Sequence, residues 1–196
     1  MPLVGGFQVE NLLLAAGMVL AAGAEAEAVF SALKSVNPVR GRMELAATRA
    51  NGASVYVDYA HTPDAVATAL QALRPHVKGR LLVVLGAGGD RDPGKRVLMG
   101  QAAAAHADRV IVTDDNPRTE DPAAIRAMVL SGAREAEEVG DRAEAILYGV
   151  DGLQPGDWLL IAGKGHETGQ IIGEDNLPFD DVEQASISVA ALEDFA

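Results

Sequence analysis

The stretch RLLVVLGAGGDRDPGKRVLMGQAAAAHADRVIVTDD, residues 80–115, decides the fold class. It opens on a continuous apolar run, passes through a glycine-rich loop and a helical pattern, and closes on a second apolar run. A buried strand, a helix and another buried strand in succession are the unit from which parallel sheets are built. The stretch therefore predicts a β-α-β unit with both strands in one sheet.

The same alternation continues on both sides of this stretch. Strand-like runs are expected at residues 54–58, 80–86, 110–113 and 158–162. Helical patterns between and after them cover residues 63–74, 95–107, 122–134 and 141–150. Ile171, Ile172 and Phe179 predict an extra edge strand, and residues 181–192 predict a closing helix. The whole pattern indicates an α/β fold, a doubly wound and mostly parallel sheet with helices on both faces.

The first 39 residues have a different pattern. Apolar side chains between Leu12 and Leu20 predict a helix that ends at Gly23, and residues 24–34 predict a second one. The dipeptide Asn37-Pro38 then interrupts the helical pattern. A hairpin of two helices exposes a large apolar face, so we expect this segment, residues 1–39, to belong against something other than itself, with a separate domain at 40–196.

Composition narrows the class of partner. The 196 residues carry a net charge of −12, which argues against a nucleic-acid backbone or an anionic membrane as the partner. The chain has no cysteine, so disulfides and thiolate metal sites are excluded. The apolar stretch at residues 12–22 is too short to span a membrane, and the N-terminus lacks a basic leader. We expect a soluble, cytoplasmic protein.

Charged or glycine-rich loops follow all four predicted strands. Because ligands of open parallel sheets bind beyond the carboxyl ends of the strands, these loops are expected to form a site. The loop at 86–96 has four glycines together with Arg91, Lys95 and Arg96, yet it does not match the Walker A pattern. It is interpreted either as an anion-binding loop or as a flexible, solvated one.

The other three loops supply both signs of charge. Asn116 and Arg118, with Pro117 between them, suit a bidentate grip on a carboxylate, although an ordinary ion-pair network around a helix start is the alternative. Glu167, in the loop that begins at Gly163, could receive an amino group, although a plain turn is also possible. Together these charges suit a zwitterion, an amino acid that carries a carboxylate and an ammonium group.

The loop after the first strand contains Asp58 and His61. Asp58 stands where acidic residues accept hydrogen bonds from ribose hydroxyls in other doubly wound folds. His61 could serve a metal, act as a general base or cap the next helix. Without a matching carboxylate at metal spacing, a structural or nucleotide-contacting role is favoured and no metal site is predicted.

Five motifs in order resemble the Mur ligases, and the DNPR signature resembles the type that adds diaminopimelate. They are GRME (41–44), DYAHTPDA (58–65), GAGGDRDPGKRVLMG (86–100), TDDNPRTEDP (113–122) and AGKGHETGQ (162–170). The resemblance implies that residues 40–196 form the Rossmann-like C-terminal domain, which binds the amino acid. Residues 1–39 would be the helical end of the central ATPase domain. Val97 and Gly169 depart from the family pattern, which often has proline and an aromatic residue there.

The resemblance also implies a reaction. In this family ATP phosphorylates the γ-carboxyl of D-glutamate in UDP-MurNAc-L-Ala-D-Glu, and an amino group of meso-diaminopimelate attacks the acyl phosphate, a step of peptidoglycan biosynthesis. ATP and Mg²⁺ would serve the whole enzyme, whose P-loop, Mg²⁺ ligands and UDP-sugar pocket have no counterpart in this sequence. The chain alone is expected to be inactive without those missing domains.

Family roles carry over by motif. The diaminopimelate-binding residues would be Arg91, Asn116, Pro117, Arg118, Gly163 and Glu167, with Arg118 on the distal carboxylate and Glu167 on the distal ammonium. The nucleotide-binding residues would be Arg42, Asp58 and His61.

Two other interpretations remain. One is a stand-alone, non-catalytic module that binds amino acids or nucleotides. The other is a different ligase of the same superfamily, such as a folylpolyglutamate synthetase, although the DNPR and GKGHE pair argues against it.

Overall fold

A computed structural model describes residues 3–194, which divide into two compact units. The first ends at Val39 and the second begins at Arg40. Assigning these units to particular domains of a larger enzyme stays a prediction.

The first unit is helical. It contains α1 (Gly6–Ala21), α2 (Ala26–Ala32) and a short 3₁₀ turn at Leu33–Ser35. The first helix ends two residues before Gly23, whose φ of 93° is a backbone conformation that few side chains allow. Leu13, Leu14 and Met18 are exposed on α1. None of the described helices is both long and apolar enough to cross a membrane.

The second unit is built on a six-stranded sheet. Its strands are β1 (Glu44–Thr48), β2 (Ser54–Asp58), β3 (Leu81–Leu85), β4 (Arg109–Val112), β5 (Glu137–Glu138) and β6 (Trp158–Ala162). They lie in the order β1-β2-β6-β3-β4-β5, with only β1 antiparallel to its neighbour. The predicted parallel sheet is confirmed. Strands β1 and β5 were not predicted from the sequence, because β1 is half-exposed and β5 has only two residues.

Helices cover both faces of this sheet. They are α3 (Pro63–Leu73), α4 (Gly94–His106), α5 (Pro122–Gly132), α6 (Arg142–Asp151) and α7 (Asp181–Asp194). Side chains of α6 and α7 share one buried core with alternate residues of the strands, Leu82 and Val84 among them. On the other side α3 packs on α4 and α4 on α5, and both α4 and α5 contact β4. Successive side chains of a buried strand point to opposite faces of the sheet, so each buried strand contributes to both cores.

Two glycines let α4 and α5 approach closely. A Cβ on Gly100 would lie 2.1 Å from the carbonyl oxygen of Val129, and one on Gly132 would lie 2.0 Å from that of Val97. Neither position has room for a side chain. The crossing sets where the N-terminus of α4, and hence the glycine-rich loop before it, is held.

The chain after β6 forms a separate hairpin. Strands β7 (Gly169–Ile172) and β8 (Asp175–Pro178) pair with each other and not with the main sheet, so the predicted extra edge strand was wrong. The backbone of Ile171 is instead engaged by Arg118, whose N–H donates to the Ile171 carbonyl at 3.1 Å. Phe179 follows β8 and packs against the core that α6 and α7 share with the sheet. The predicted closing helix is confirmed as α7.

A buried ion pair fastens α7 to α6. Arg142 and Asp181 are both fully buried, and two guanidinium nitrogens of Arg142 donate to the two carboxylate oxygens at 2.8 Å each. Arg142 also donates to the carbonyls of Ala162, at 3.0 Å, and Asp114, at 3.3 Å. One side chain thus joins α7 to the ends of β4 and β6.

Breaking this pair should strongly destabilise the second unit. Asp181→Asn leaves the buried guanidinium without its counter-charge, and we expect a loss of about 3–5 kcal/mol in the free energy of unfolding. Urea denaturation followed by circular dichroism measures it. Glu183→Gln, on the exposed side of the same helical turn, is the control and should change stability by less than about 0.5 kcal/mol. A loss below about 1 kcal/mol for Asp181→Asn would contradict the anchoring role.

The short strand β5 is held at the sheet edge by an ion pair that should make stability depend on pH. Arg109 donates to Glu137 at 2.9 Å, and this bonding lowers the pKa of Glu137 to about 2 from an ordinary value of 4.5. A carboxyl whose pKa is lowered on folding stabilises the fold above its unfolded pKa and loses that contribution as the pH falls. Solvent screening of this half-exposed pair limits the effect to about 1 kcal/mol.

The stability advantage of the wild type over Glu137→Gln should therefore be largest at neutral pH. It should shrink as the pH falls from about 4.5 toward 2, measured as the difference in urea midpoint. Glu135→Gln, at an exposed neighbouring position, is the matched control. A constant gap between wild type and Glu137→Gln from pH 7 to pH 2 would show that the ion pair does not stabilise the edge.

Candidate functional site

A cleft of about 320 Å³ lies at the carboxyl ends of the central strands. The loops after β2, β3, β4 and β6 each contribute to its wall, as expected for a doubly wound sheet. Of the predicted site residues, six line it: His61, Arg91, Asn116, Arg118, Gly163 and Glu167. Pro117, Arg42 and Asp58 do not. The guanidinium of Arg118 and the carboxylate of Glu167, brought from different strands, therefore share one cavity.

Arg118 is fixed by its backbone and by one of its nitrogens. Its φ of 52° is left-handed, and its N–H and carbonyl pair with Ile171 and Gly173 of the hairpin at 3.1 and 2.7 Å. Its Nη1 donates to the carbonyl of Gly89 at 2.8 Å. Among the described residues Nε and Nη2 find no partner, so they remain available to a ligand in the cleft.

Asn116 links the two walls. Its Nδ2 donates to Glu167 Oε2 at 3.0 Å, and its Oδ1 accepts from Lys164 Nζ at 2.7 Å and from the backbone N–H of Ile171 at 3.0 Å. The amide therefore faces Glu167 and uses one N–H there. The joint grip of Asn116 and Arg118 on one carboxylate, predicted from the sequence, stays a prediction.

Pro117 acts through its backbone. The residue is buried, and a Cβ on Gly89 would lie 1.8 Å from its carbonyl oxygen. Gly89 also donates its N–H to the carbonyl of Asn116 at 2.8 Å. Only glycine fits this contact, so the glycine-rich loop is pinned to the loop after β4.

Arg96 braces the same two loops rather than facing solvent. It is 2% exposed, and its two terminal nitrogens donate to the carboxylate of Glu120 at 2.7 and 2.8 Å. These bonds, with one from the backbone N–H of Asp90, lower the pKa of Glu120 to about 2. Arg91 and Lys95 are the exposed cations of the loop and line the cleft. The interpretation as a flexible, solvated loop fits these contacts poorly.

The loop after β2 forms the remaining wall. The oxygens of Asp58 accept from the backbone N–H groups of Met43, at 2.8 Å, and Ala60, at 2.9 Å, and burial raises the pKa of this carboxyl. Arg42 lies over the ring of Tyr59, 4.5 Å from its centre, and the His61 ring packs against the same tyrosine. Asp58 thus fixes the backbone on which these side chains are mounted.

Thr62, and not His61, caps the helix that follows. The Thr62 hydroxyl accepts from the N–H of Ala65 at 3.3 Å, whereas His61 Nδ1 lies 2.7 Å from the carbonyl of Tyr59. The capping alternative for His61 is therefore wrong. No group of three or more histidine, aspartate or glutamate residues suited to a metal ion occurs within residues 3–194.

Several residues that shape the site were missed from the sequence. Lys164 is fully buried, although lysine ordinarily reads as a surface residue. Asp115 lines the cleft and accepts the N–H of Asn116 at 2.7 Å, and Tyr59 supplies the aromatic surface. The sequence does indicate that the position of Lys164 is unusual, because it lies between Gly163 and Gly165. In the structure these glycines have positive φ values, of 121° and 56°.

Charges of both signs line the cleft. The loops after β3 and β4 supply the cations Arg91, Lys95 and Arg118 together with the carboxylates of Asp92 and Asp115, and Glu167 comes from the loop after β6. A ligand with a carboxylate near an ammonium group can satisfy both signs at once. The cleft is therefore chemically suited to a zwitterion.

Comparison with known proteins gives concordant matches. Named relatives are the UDP-N-acetylmuramoyl-L-alanyl-D-glutamate--2,6-diaminopimelate ligases of Bradyrhizobium diazoefficiens, 56% identical over 97% of this chain, and of Zymomonas mobilis, 58% identical over 96%. The chain spans 39% and 40% of their lengths. A solved structure of a ligase with the same name superimposes with a TM-score of 0.77 at 42% identity, covering 98% of this chain and 40% of the other.

The family comparison is independent of any single relative. The model for the Mur ligase, glutamate ligase domain, matches residues 41–165, which include the six strands of the sheet and the residues that line the cleft, apart from Glu167. Because this match extends over more than half of the sequence, the chain belongs to the Mur ligase family.

Proposed function

We propose that this chain is the C-terminal part of an ATP-dependent ligase that adds meso-diaminopimelate to UDP-MurNAc-L-Ala-D-Glu, in peptidoglycan biosynthesis. The names of the relatives and the share of their length that it spans support this assignment. The observation that carries it is the common cleft of Arg118 and Glu167, because diaminopimelate has both a carboxylate and an ammonium group at its distal end. A cytoplasmic location follows from the use of ATP and a nucleotide-linked precursor.

Different cleft residues would bind different groups of the amino acid. The free nitrogens of Arg118 would hold the distal carboxylate, and Glu167 the distal ammonium. Arg91 and the second N–H of Asn116 offer further donors to a carboxylate, and Gly163 leaves space beside Asp115. Pro117 would contribute only by locking the loop through Gly89.

The nucleotide would lie on the side of the loop after β2. Arg42 is exposed and cationic and His61 lines the cleft, which supports a role for both in contacting ATP phosphates or ribose. Each oxygen of Asp58 has one backbone partner and can accept another hydrogen bond, which keeps the ribose role open to it. No cluster within the described residues suits Mg²⁺, whose ligands in the proposed enzyme would come from the other domains.

This chain would contribute positioning to the chemistry. In the proposed reaction the neutral amine nitrogen attacks the acyl carbon, a C–N bond forms, the C–O bond to phosphate breaks, and the nitrogen loses a proton as inorganic phosphate leaves. Binding of the distal centre would leave the other amino group unbound and directed at the acyl phosphate, and such orientation supplies much of the rate in a reaction of two substrates. ATP and the dipeptide would be held mainly by the ATPase domain, of which residues 1–39 are the proposed end.

A direct test has two parts. Calorimetry of this chain with meso-diaminopimelate checks the cleft itself. A chimera in which the chain replaces the matching segment of the Zymomonas mobilis ligase should release phosphate when diaminopimelate, ATP and UDP-MurNAc-L-Ala-D-Glu are all present. If the chain bound diaminopimelate and the chimera stayed inactive, the non-catalytic binding module would be the better description. If the chain did not bind diaminopimelate and the chimera was also inactive, the proposal would be contradicted.

Arg118 should discriminate diaminopimelate from L-lysine, which lacks the distal carboxylate. Arg118→Ala removes a charged partner whose loss costs about 2–5 kcal/mol, so kcat/KM for diaminopimelate in the chimera should fall by about 30-fold or more. The value for L-lysine should change far less. Arg134→Ala, at an exposed position outside the cleft, is the matched control. Equal losses for both amino acids would refute the selectivity role.

A further inference from the structure

Lys164 has no role in the function proposed above, yet it is one of the largest fully buried side chains of the fold. It does not line the cleft. Among the described residues its ammonium makes one hydrogen bond, to Asn116 Oδ1 at 2.7 Å, and it lies 3.6 Å from Glu167 Oε2. Burying an ammonium group costs free energy unless the charge is paired and hydrogen-bonded. The partners of Lys164 therefore indicate what this residue does.

The Asn116 amide has two possible orientations, related by a half-turn of its terminal group. In the observed one, Oδ1 accepts from both Lys164 Nζ and the Ile171 N–H, which are both obligate donors. A half-turn would point the Nδ2 hydrogens at these two donors. The ammonium therefore makes the reversed orientation unfavourable, and Ile171 alone would oppose it more weakly.

The orientation decides what the cleft offers to a ligand. With Oδ1 turned inward, Nδ2 donates to Glu167 Oε2 and holds that carboxylate in place. Within the described residues Glu167 Oε1 accepts no hydrogen bond and is open to an ammonium group. The reversed amide would put a carbonyl oxygen beside the Glu167 carboxylate, where the two acceptors repel each other. The correct pairing of ligand groups would be lost.

We infer that Lys164 is a positioning residue that sets the polarity of the amino-acid pocket by holding the Asn116 amide with its nitrogen toward Glu167. The inference rests on the proposed function, since it takes the cleft as an amino-acid site. It extends the recognition of the amino acid from the cleft wall to a side chain that does not line the cleft. Lys164 acts on the ligand only through Asn116 and Glu167.

The kinetic test uses the chimera described above. Lys164→Met keeps the length and removes the donor, and the KM for diaminopimelate should rise by roughly tenfold or more, the usual effect of losing a charge-assisted hydrogen bond. The KM for ATP should be unchanged. Lys78→Met, at an exposed position, is the matched control.

A double-mutant cycle separates positioning from general loosening. If Lys164 acts through Asn116, the effects of Lys164→Met and Asn116→Ala on kcat/KM for diaminopimelate should be strongly non-additive. Additive effects, or an unchanged KM in Lys164→Met, would overturn the inference. If the unsubstituted chimera did not use diaminopimelate at all, the proposed function would fail instead.

A second measurement needs no activity. In the 196-residue chain, the hydrogen bond from Ile171 N–H to Asn116 Oδ1 should give a scalar coupling between the Ile171 nitrogen and the Asn116 side-chain carbonyl carbon in NMR spectra. The coupling should be present in the wild type and weaken in Lys164→Met, or in the shorter and apolar Lys164→Leu if the first variant does not fold. Its absence from the wild type, or its persistence in the folded variant, would contradict the inference.

Discussion

The contact between Gly89 and the Asn116–Pro117 backbone is the constraint on which the site depends. The Gly89 N–H donates to the Asn116 carbonyl, a Cβ at Gly89 would collide with the Pro117 carbonyl oxygen, and the Gly89 carbonyl receives Arg118 Nη1. Two loops that leave neighbouring strands are thereby joined by backbone contacts, to which the Arg118 side chain adds a hydrogen bond. Closely packed backbone atoms form this part of the cationic wall, so the two loops have no room to shift relative to each other.

Charges buried behind the cleft transmit this rigidity to its acidic wall. Arg142 ties Asp181, Ala162 and Asp114 together, and its neighbour Lys164 reaches Asn116. Burial lowers the pKa of Lys164, while the carboxylates of Asp115 and Glu167 act in the opposite direction and favour its charged form. Buried charges of this kind add little net stability but penalise every alternative arrangement of their partners. Here that penalty maintains a particular disposition of polar atoms at the surface.

Sequence patterns predicted the parallel sheet because its buried strands are unbroken apolar runs, as in Leu81–Leu85, where every residue is buried. The same patterns predicted that Arg118 and Glu167 lie at one edge of the sheet, because the loops of a doubly wound sheet converge there. Both residues do line the cleft at that edge. The patterns failed where pairing depends on a distant partner. The hairpin of β7 and β8 pairs with itself and with the Arg118 backbone, and no local apolar pattern encodes that choice. Arg96 and Lys164 look like surface charges until their burial is known.

The exposure of the cleft bears on how selectivity is expressed. Arg91 and Lys95 are exposed and about a third of the Glu167 side chain is accessible, so bulk water weakens their attraction for a ligand. The same charges attract several-fold more strongly once water is excluded. In the proposed enzyme the ATPase domain would supply that exclusion by closing over the cleft. The rigid backbone contacts of this chain would then fix the geometry, and closure would set the strength, of amino-acid recognition.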